Sequence, residues 1–202
     1  MNRSLQSIAD LAAIGRHEQA IAAATDILAD TNHSSDERMA LLELRFDSHY
    51  LRMDLAQAEA DVQALKALAR RPVDAARQAR ALTCEALLQW RRGDAQASLE
   101  TAKVALKAAR RSGRTELEAR SQVSLGRAQG VAGTDLPAAL ANLQQAAAHF
   151  AVLGDVRQQG RAICNRLAFS APAPALMRPT RPRARHLYWL GNAATCLGRA
   201  RP

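Results

Sequence analysis

The chain of 202 residues holds 45 Ala and 26 Leu but only 3% aromatic residues, a composition weighted toward helix formers and poor in strand formers. It argues against a sandwich, a barrel or any large sheet, and a hydrophobic content of 48% argues against a wholly disordered chain. The net charge of +9 is unevenly placed: residues 170–202 contain six arginines and no acid, leaving +3 for residues 1–169. A nearly balanced body with a basic tail is not the pattern of a dedicated nucleic-acid-binding domain, whose basic stripe lies on the folded surface.

In chain order the body reads as amphipathic helices broken by short turns. A first helix runs over residues 4–14 and breaks at Gly15-Arg16. A second covers 17–29, with Ala20, Ile21, Ala24, Ile27 and Leu28 on one face at helical spacing. Ser35 opens a third helix over 36–52, and a fourth follows over 55–70. Pro72 suits the first turn of a fifth helix reaching Trp90. Gly93-Asp94 leads into a sixth, whose closing cations at 107–111 and Gly113 favour a helix C-terminus. A seventh and an eighth flank residues 133–137, Gly154 ends the eighth, and 155–169 form a ninth.

These helices recur with a period. Aligning Gly15-Arg16, Met53-Asp54, Gly93-Asp94 and Thr134-Asp135 superposes the small residues Ala20, Ala58, Ser98 and Ala139, at intervals of 38, 40 and 41 residues. Ala24, Val62, Ala102 and Leu143 follow four residues later, then Ile27, Leu65, Ala105 and Ala146. Repetition at about 40 residues is the mark of a helical solenoid.

Leu125-Gly126 followed by Gly133, and Leu190-Gly191 followed by Gly198, have the Leu-Gly and Gly spacing of a tetratricopeptide repeat. Over residues 3–169 and part of the tail the chain resembles that family, in a degenerate form: Ala or Gln stands at most aromatic positions, Gly or Asn replaces the closing proline, and the period exceeds the usual 34. The resemblance implies an all-α, right-handed superhelical solenoid of antiparallel helix pairs that binds proteins or peptides. Such Ala- and Arg-rich repeats are similar to those of multidomain bacterial regulators that carry diguanylate cyclase or transcriptional-activator output domains. The chain has no Gly-Gly-Asp-Glu-Phe motif and no helix-turn-helix signature.

The composition shifts abruptly after residue 169. Residues 170–185 contain four of the seven prolines and read as an extended Pro/Arg-rich linker. Residues 186–202 regain a helical pattern, with Leu187, Leu190, Ala194 and Leu197 on one face. Two readings stand for this stretch, a partial repeat helix or a non-native tail.

No catalytic constellation emerges, and the expectation is a non-enzyme without cofactor. Cys84, Cys164 and Cys196 lie 80 and 32 residues apart with no accompanying Cys-x-x-Cys, so free thiols are expected rather than a zinc site or disulfides. The five histidines are scattered, and no metal site is expected. Asp47, Ser48 and His49 are triad residue types, but neighbouring helical residues point about 100° apart. Gly126, Gly130 and Gly133 follow no strand and lack the Lys-Ser/Thr pair of a phosphate loop, so they read as structural glycines. The acid pairs Asp36/Glu37 and Glu116/Glu118 suit helix starts, and the arginine pairs at 70–71, 91–92 and 110–111 suit helix ends. Trp90 reads as packing between repeats. The N-terminus has no apolar signal segment and no run approaches ~20 apolar residues, so the cytoplasm is the expected compartment.

The function expected is a protein- or peptide-binding scaffold, with a groove lined by the first helix of each pair. Candidate groove residues are Arg45, His49, Arg52, Arg80, Glu85, Gln89, Gln122 and Gln129. Their arginines point to an acidic or polar partner segment rather than nucleic acid or membrane. The alternative is an N-terminal sensory or regulatory fragment of a larger signalling protein, a diguanylate cyclase or a transcriptional activator, whose output domain lies beyond these residues.

Overall fold

A computed structural model describes residues 3–70, 74–133 and 135–170. Over these residues the chain forms α1 (Arg3–Ala13), α2 (His17–Ala29), α3 (Ser35–Arg52), α4 (Leu55–Ala69), α5 (Ala75–Arg91), α6 (Ala95–Ser112), α7 (Thr115–Ala132), α8 (Leu136–Val152) and α9 (Val156–Ser170), and no strand. The linker and partial helix expected beyond residue 170, with the Leu190-Gly191 and Gly198 motif and Cys196, lie outside the described residues.

Short polar side chains set where the helices begin. Ser34 caps α3: its hydroxyl accepts from the Glu37 amide, while the Glu37 carboxylate accepts from the Ser34 amide at 3.0 Å. The start is therefore one residue earlier than Ser35 suggests. Asp94, Asp135 and Asp155 each accept an amide hydrogen bond from the first turn of α6, α8 and α9. Helix α5 departs from the expectation of a proline start, because Asp74 binds the Ala76 and Arg77 amides and the helix opens at Ala75. Pro72 lies outside the described residues. At helix ends Gly113 and Gly133 adopt the left-handed conformation, and Met53 takes the same place with φ 66°.

The repeat register of the even-numbered helices is a register of burial. Ala20, Ala58, Ser98 and Ala139 are all buried, as are Ala24, Val62, Ala102 and Leu143, then Leu65, Ala105 and Ala146. Ile27 is partly buried. Ser98 satisfies its hydroxyl by donating to the Ala86 carbonyl at 2.8 Å. Each helix packs on its successor in the chain. The odd-numbered helices also pack on one another, α1 on α3, α3 on α5, α5 on α7 and α7 on α9, whereas among the described residues no even-numbered helix packs on another. The odd helices thus form a continuous inner layer. Phe46, Tyr50, Cys84, Leu88 and Trp90 from α3 and α5 join Val131, Leu143 and Phe169 in the largest core cluster.

Two glycines of α7 are required by close approach rather than by backbone angle. A Cβ at Gly126 would lie 2.8 Å from Leu143 Cγ and 2.9 Å from the Ala139 carbonyl oxygen of α8. A Cβ at Gly130 would lie 2.6 Å from the Phe169 ring of α9. Gly160, inside α9, meets nothing within 4 Å. Gly126→Ala is therefore expected to destabilise by about 1–2 kcal/mol, overpacking against α8 outweighing the better helix propensity. Gly160→Ala is expected to stabilise by about 0.5–1 kcal/mol. Urea denaturation midpoints of the two variants, moving in opposite directions, check the distinction.

A charged groove along the odd-numbered helices

The inner layer carries charge at a fixed repeat position. Glu43 of α3, Arg80 of α5, Arg120 of α7 and Arg161 of α9 are 37, 40 and 41 residues apart, nearly the spacing of the small residues in the even helices. The Glu43 carboxylate accepts from Arg80 Nε at 3.0 Å and Nη2 at 2.9 Å, and from Arg120 Nη1 at 3.3 Å. One buried acid thereby ties three odd helices together. Burial alone would raise the Glu43 carboxyl, but the guanidinium of Arg120 and the bonds from Arg80 hold it below its ordinary range.

One helical turn on, Asp47 shares the Glu43 face of α3. Among the described residues its carboxylate, half-buried, makes no direct hydrogen bond or ion pair. Burial pushes its pKa up, opposed by the charges of Arg120 and Arg161. Among the described residues Arg161 likewise makes no direct hydrogen bond or ion pair, and burial lowers its pKa against the pull of Asp47. Further along, Arg127 donates to the Tyr50 hydroxyl at 3.1 Å and stacks 3.9 Å from the Trp90 ring centroid, while Arg91 lies 4.4 Å over Tyr50. Trp90 is buried in this stack, a packing role between α5 and α7. The buried Thr83 and Ser121 hydroxyls add a bond between the same helices at 3.0 Å.

Glu43, Asp47, Arg80, Arg120 and Arg161 face two adjoining clefts. The first, of ≈ 520 Å³, is lined by Glu43, Asp47, Arg80 and Arg120 together with Leu5 of α1 and Gln158 of α9. The second, of ≈ 1160 Å³, runs from Gln6 through His17 on one side to Leu153 through Arg161 on the other, with Asp47 between. Residues near both ends of the array thus line one groove.

Of the eight groove residues expected from sequence, Arg80 lines these clefts. The other seven do not. Arg45 reaches to α4 and α2, pairing with Asp61 at 2.6 Å and Thr25 at 3.0 Å. Arg52 pairs with Glu18 at 2.6 Å and Asp54 at 2.9 Å. His49 is buried 3.7 Å from Asp54. Glu85 accepts from Lys66 of α4 at 2.6 Å. Gln122 is buried and donates to Gln145 of α8, and Gln129 accepts from Asn142 of α8. The Gln89 side-chain oxygen is buried without a hydrogen-bond partner. Five of these residues therefore turn toward even helices, Arg45, Arg52, Glu85, Gln122 and Gln129, because the odd helices are covered on two sides and the groove stripe lies about half a turn from the one chosen. Glu43, Asp47, Arg120 and Arg161 also line the clefts, and the 40- and 41-residue recurrence of Arg80, Arg120 and Arg161 is the signal in the sequence for the three arginines on this face.

Among the described residues no helix is long and apolar enough to cross a membrane. No protein-family model, no curated protein and no solved structure matches the chain.

Two predictions follow from opposite shifts on one face. Glu43→Gln leaves the Arg80 and Arg120 guanidinia without their buried anion and is expected to destabilise by about 3 kcal/mol, read from chemical denaturation. Asp47→Asn is expected to stabilise at neutral pH, because the folded-state pKa of Asp47 is raised and the ionised form is the strained one. The advantage over wild type is present above the folded pKa and shrinks as pH falls through it toward the ordinary aspartate value of about 4. Denaturation midpoints of both proteins, compared from neutral to acid pH, measure it.

Proposed function

We propose that the chain is a right-handed solenoid of antiparallel helix pairs of the tetratricopeptide type, acting as a non-catalytic scaffold that binds a protein or peptide partner. Packing of odd helices on odd helices, with none of even on even among the described residues, supports the solenoid reading. The buried small residues at repeat spacing support it as well. The observation that carries the function is the groove itself: a cleft lined from both ends of the described helices, onto which Asp47 and Arg161 face without a direct hydrogen bond or ion pair among the described residues. Ionisable groups left without a direct partner beside a cleft favour a function over a purely structural role.

The partner differs from a simply acidic one. The arginines behind that expectation are already neutralised, Arg45 by Asp61, Arg52 by Glu18 and Asp54, and Arg80 by Glu43. What the groove offers freely is one carboxylate and one guanidinium, which suits a polar segment of mixed charge. Immobilised full-length chain is expected to retain partner proteins from a cell extract, and a bait carrying Asp47→Asn with Arg161→Gln is expected to lose them while keeping its helical circular dichroism. The same proteins retained by both baits would rule out the groove as the binding surface.

A further inference from the structure

The larger cleft combines two features that no internal packing explains. Four large apolar side chains on its wall are exposed: Ile14 at 69%, Leu51 at 41%, Leu153 at 46% and Val156 at 76%. They come from the α1–α2 turn, the end of α3, the α8–α9 turn and the start of α9, so four separate chain segments bring apolar surface to one place. A gathered apolar patch beside polar groups marks an interaction surface, whereas scattered exposed side chains do not. At the same cleft, and among the described residues, Asp47 and Arg161 attract one another but make no direct hydrogen bond or ion pair, and Nδ1 of His17 is buried without a hydrogen-bond partner.

The remaining charges narrow the occupant. Asp10 is held by Gln6 at 2.8 Å, and Asp155 caps its own helix. With Arg157 at the rim, the wall carries three acids and two arginines, close to balance. A polyphosphate chain would meet those acids, and a purely acidic peptide would leave Asp47 unmatched. At ≈ 1160 Å³ the cleft exceeds the roughly 300–1,000 Å³ of small-molecule pockets. We propose that this cleft docks an amphipathic segment of a partner protein, its apolar side chains against Ile14, Leu51, Leu153 and Val156, with one acid on Arg161 and one base on Asp47. This rests on the scaffold reading above and adds the chemistry of the ligand.

The test is to pan a displayed random-peptide library against the full chain and measure affinities of the enriched peptides. They are expected to combine apolar residues with one acid and one base. Binding is expected to weaken about tenfold or more in Ile14→Ser, Val156→Ser, Asp47→Asn and Arg161→Gln, and to stay unchanged in Val104→Ser, an exposed site on α6 away from the cleft. A peptide whose acid is changed to Lys is expected to regain binding to Arg161→Glu, which a merely misfolded variant would not allow. Enriched peptides that bind all the cleft variants as well as wild type overturn this site and leave the scaffold reading standing. Purely acidic peptides insensitive to Asp47→Asn overturn the paired-charge recognition. Enrichment of no peptide at all removes both.

Discussion

Close approach between helices is the constraint on which the array depends. With few aromatic residues to fill space, neighbouring helices must meet across small side chains, and the buried residues at repeat spacing are mostly Ala, with Ser98 as the polar exception. Each alanine contributes little burial by itself, so stability has to come from many such contacts added along the chain. Gly126 carries the same logic to its limit, since even a methyl group there would meet the backbone of α8. Where a large side chain does enter, as Phe169 does over Gly130, the facing helix gives up its own side chain. Dense packing of small residues also leaves the odd helices little room for independent movement, which makes their shared face a fixed surface.

On that face electrostatics takes over from packing. Glu43 accepts from two arginines of different helices, so its desolvation is met by charge-assisted bonds on both oxygens. Arg120 has its pKa raised by Glu43 first and then by Asp47. The ladder therefore begins with an acid bonded to two arginines and ends with Arg161, which Asp47 attracts without a direct hydrogen bond among the described residues. Aromatic stacking lets two further arginines be buried without a carboxylate, Arg127 against Trp90 and Arg91 against Tyr50. Positive charge is thus held by three different means on the odd-numbered helices.

The even helices were legible in the sequence because burial there selects small and apolar residues, and the register drawn through Ala20, Ala58, Ser98 and Ala139 is a register of buried positions. The rotation of the odd helices was not legible in the same way. Each is covered by an even helix on one side and by odd neighbours on another, so apolar positions do not mark one stripe. Long polar residues such as Arg45 and Glu85 look like groove residues in sequence, yet they reach back to α4. The true stripe was written in charge instead, as Arg80, Arg120 and Arg161 at the repeat interval, and a periodicity sought only in apolar residues passes over it. Boundaries set by side-chain caps were near but not at their marks: Ser34 rather than Ser35 begins α3, and Asp74 rather than Pro72 organises α5.

Asp47 brings stability and function into opposition. Were the inner face selected for stability alone, an amide or apolar residue would serve better one turn after Glu43, since desolvation raises the pKa of the half-buried Asp47 carboxyl and no hydrogen bond among the described residues offsets it. The same argument applies to Arg161, whose charge is desolvated at the far end of the ladder. Two such groups at one cleft, each a poor choice for the isolated chain, are what the proposed partner would supply with counter-charges. The exposed Ile14 and Val156 follow the same logic in apolar form, because water contact at both is unfavourable until a second surface covers them. Local departures from stability that converge on one cleft are the ground for proposing it as a binding site, since natural chains break such rules chiefly where function requires it.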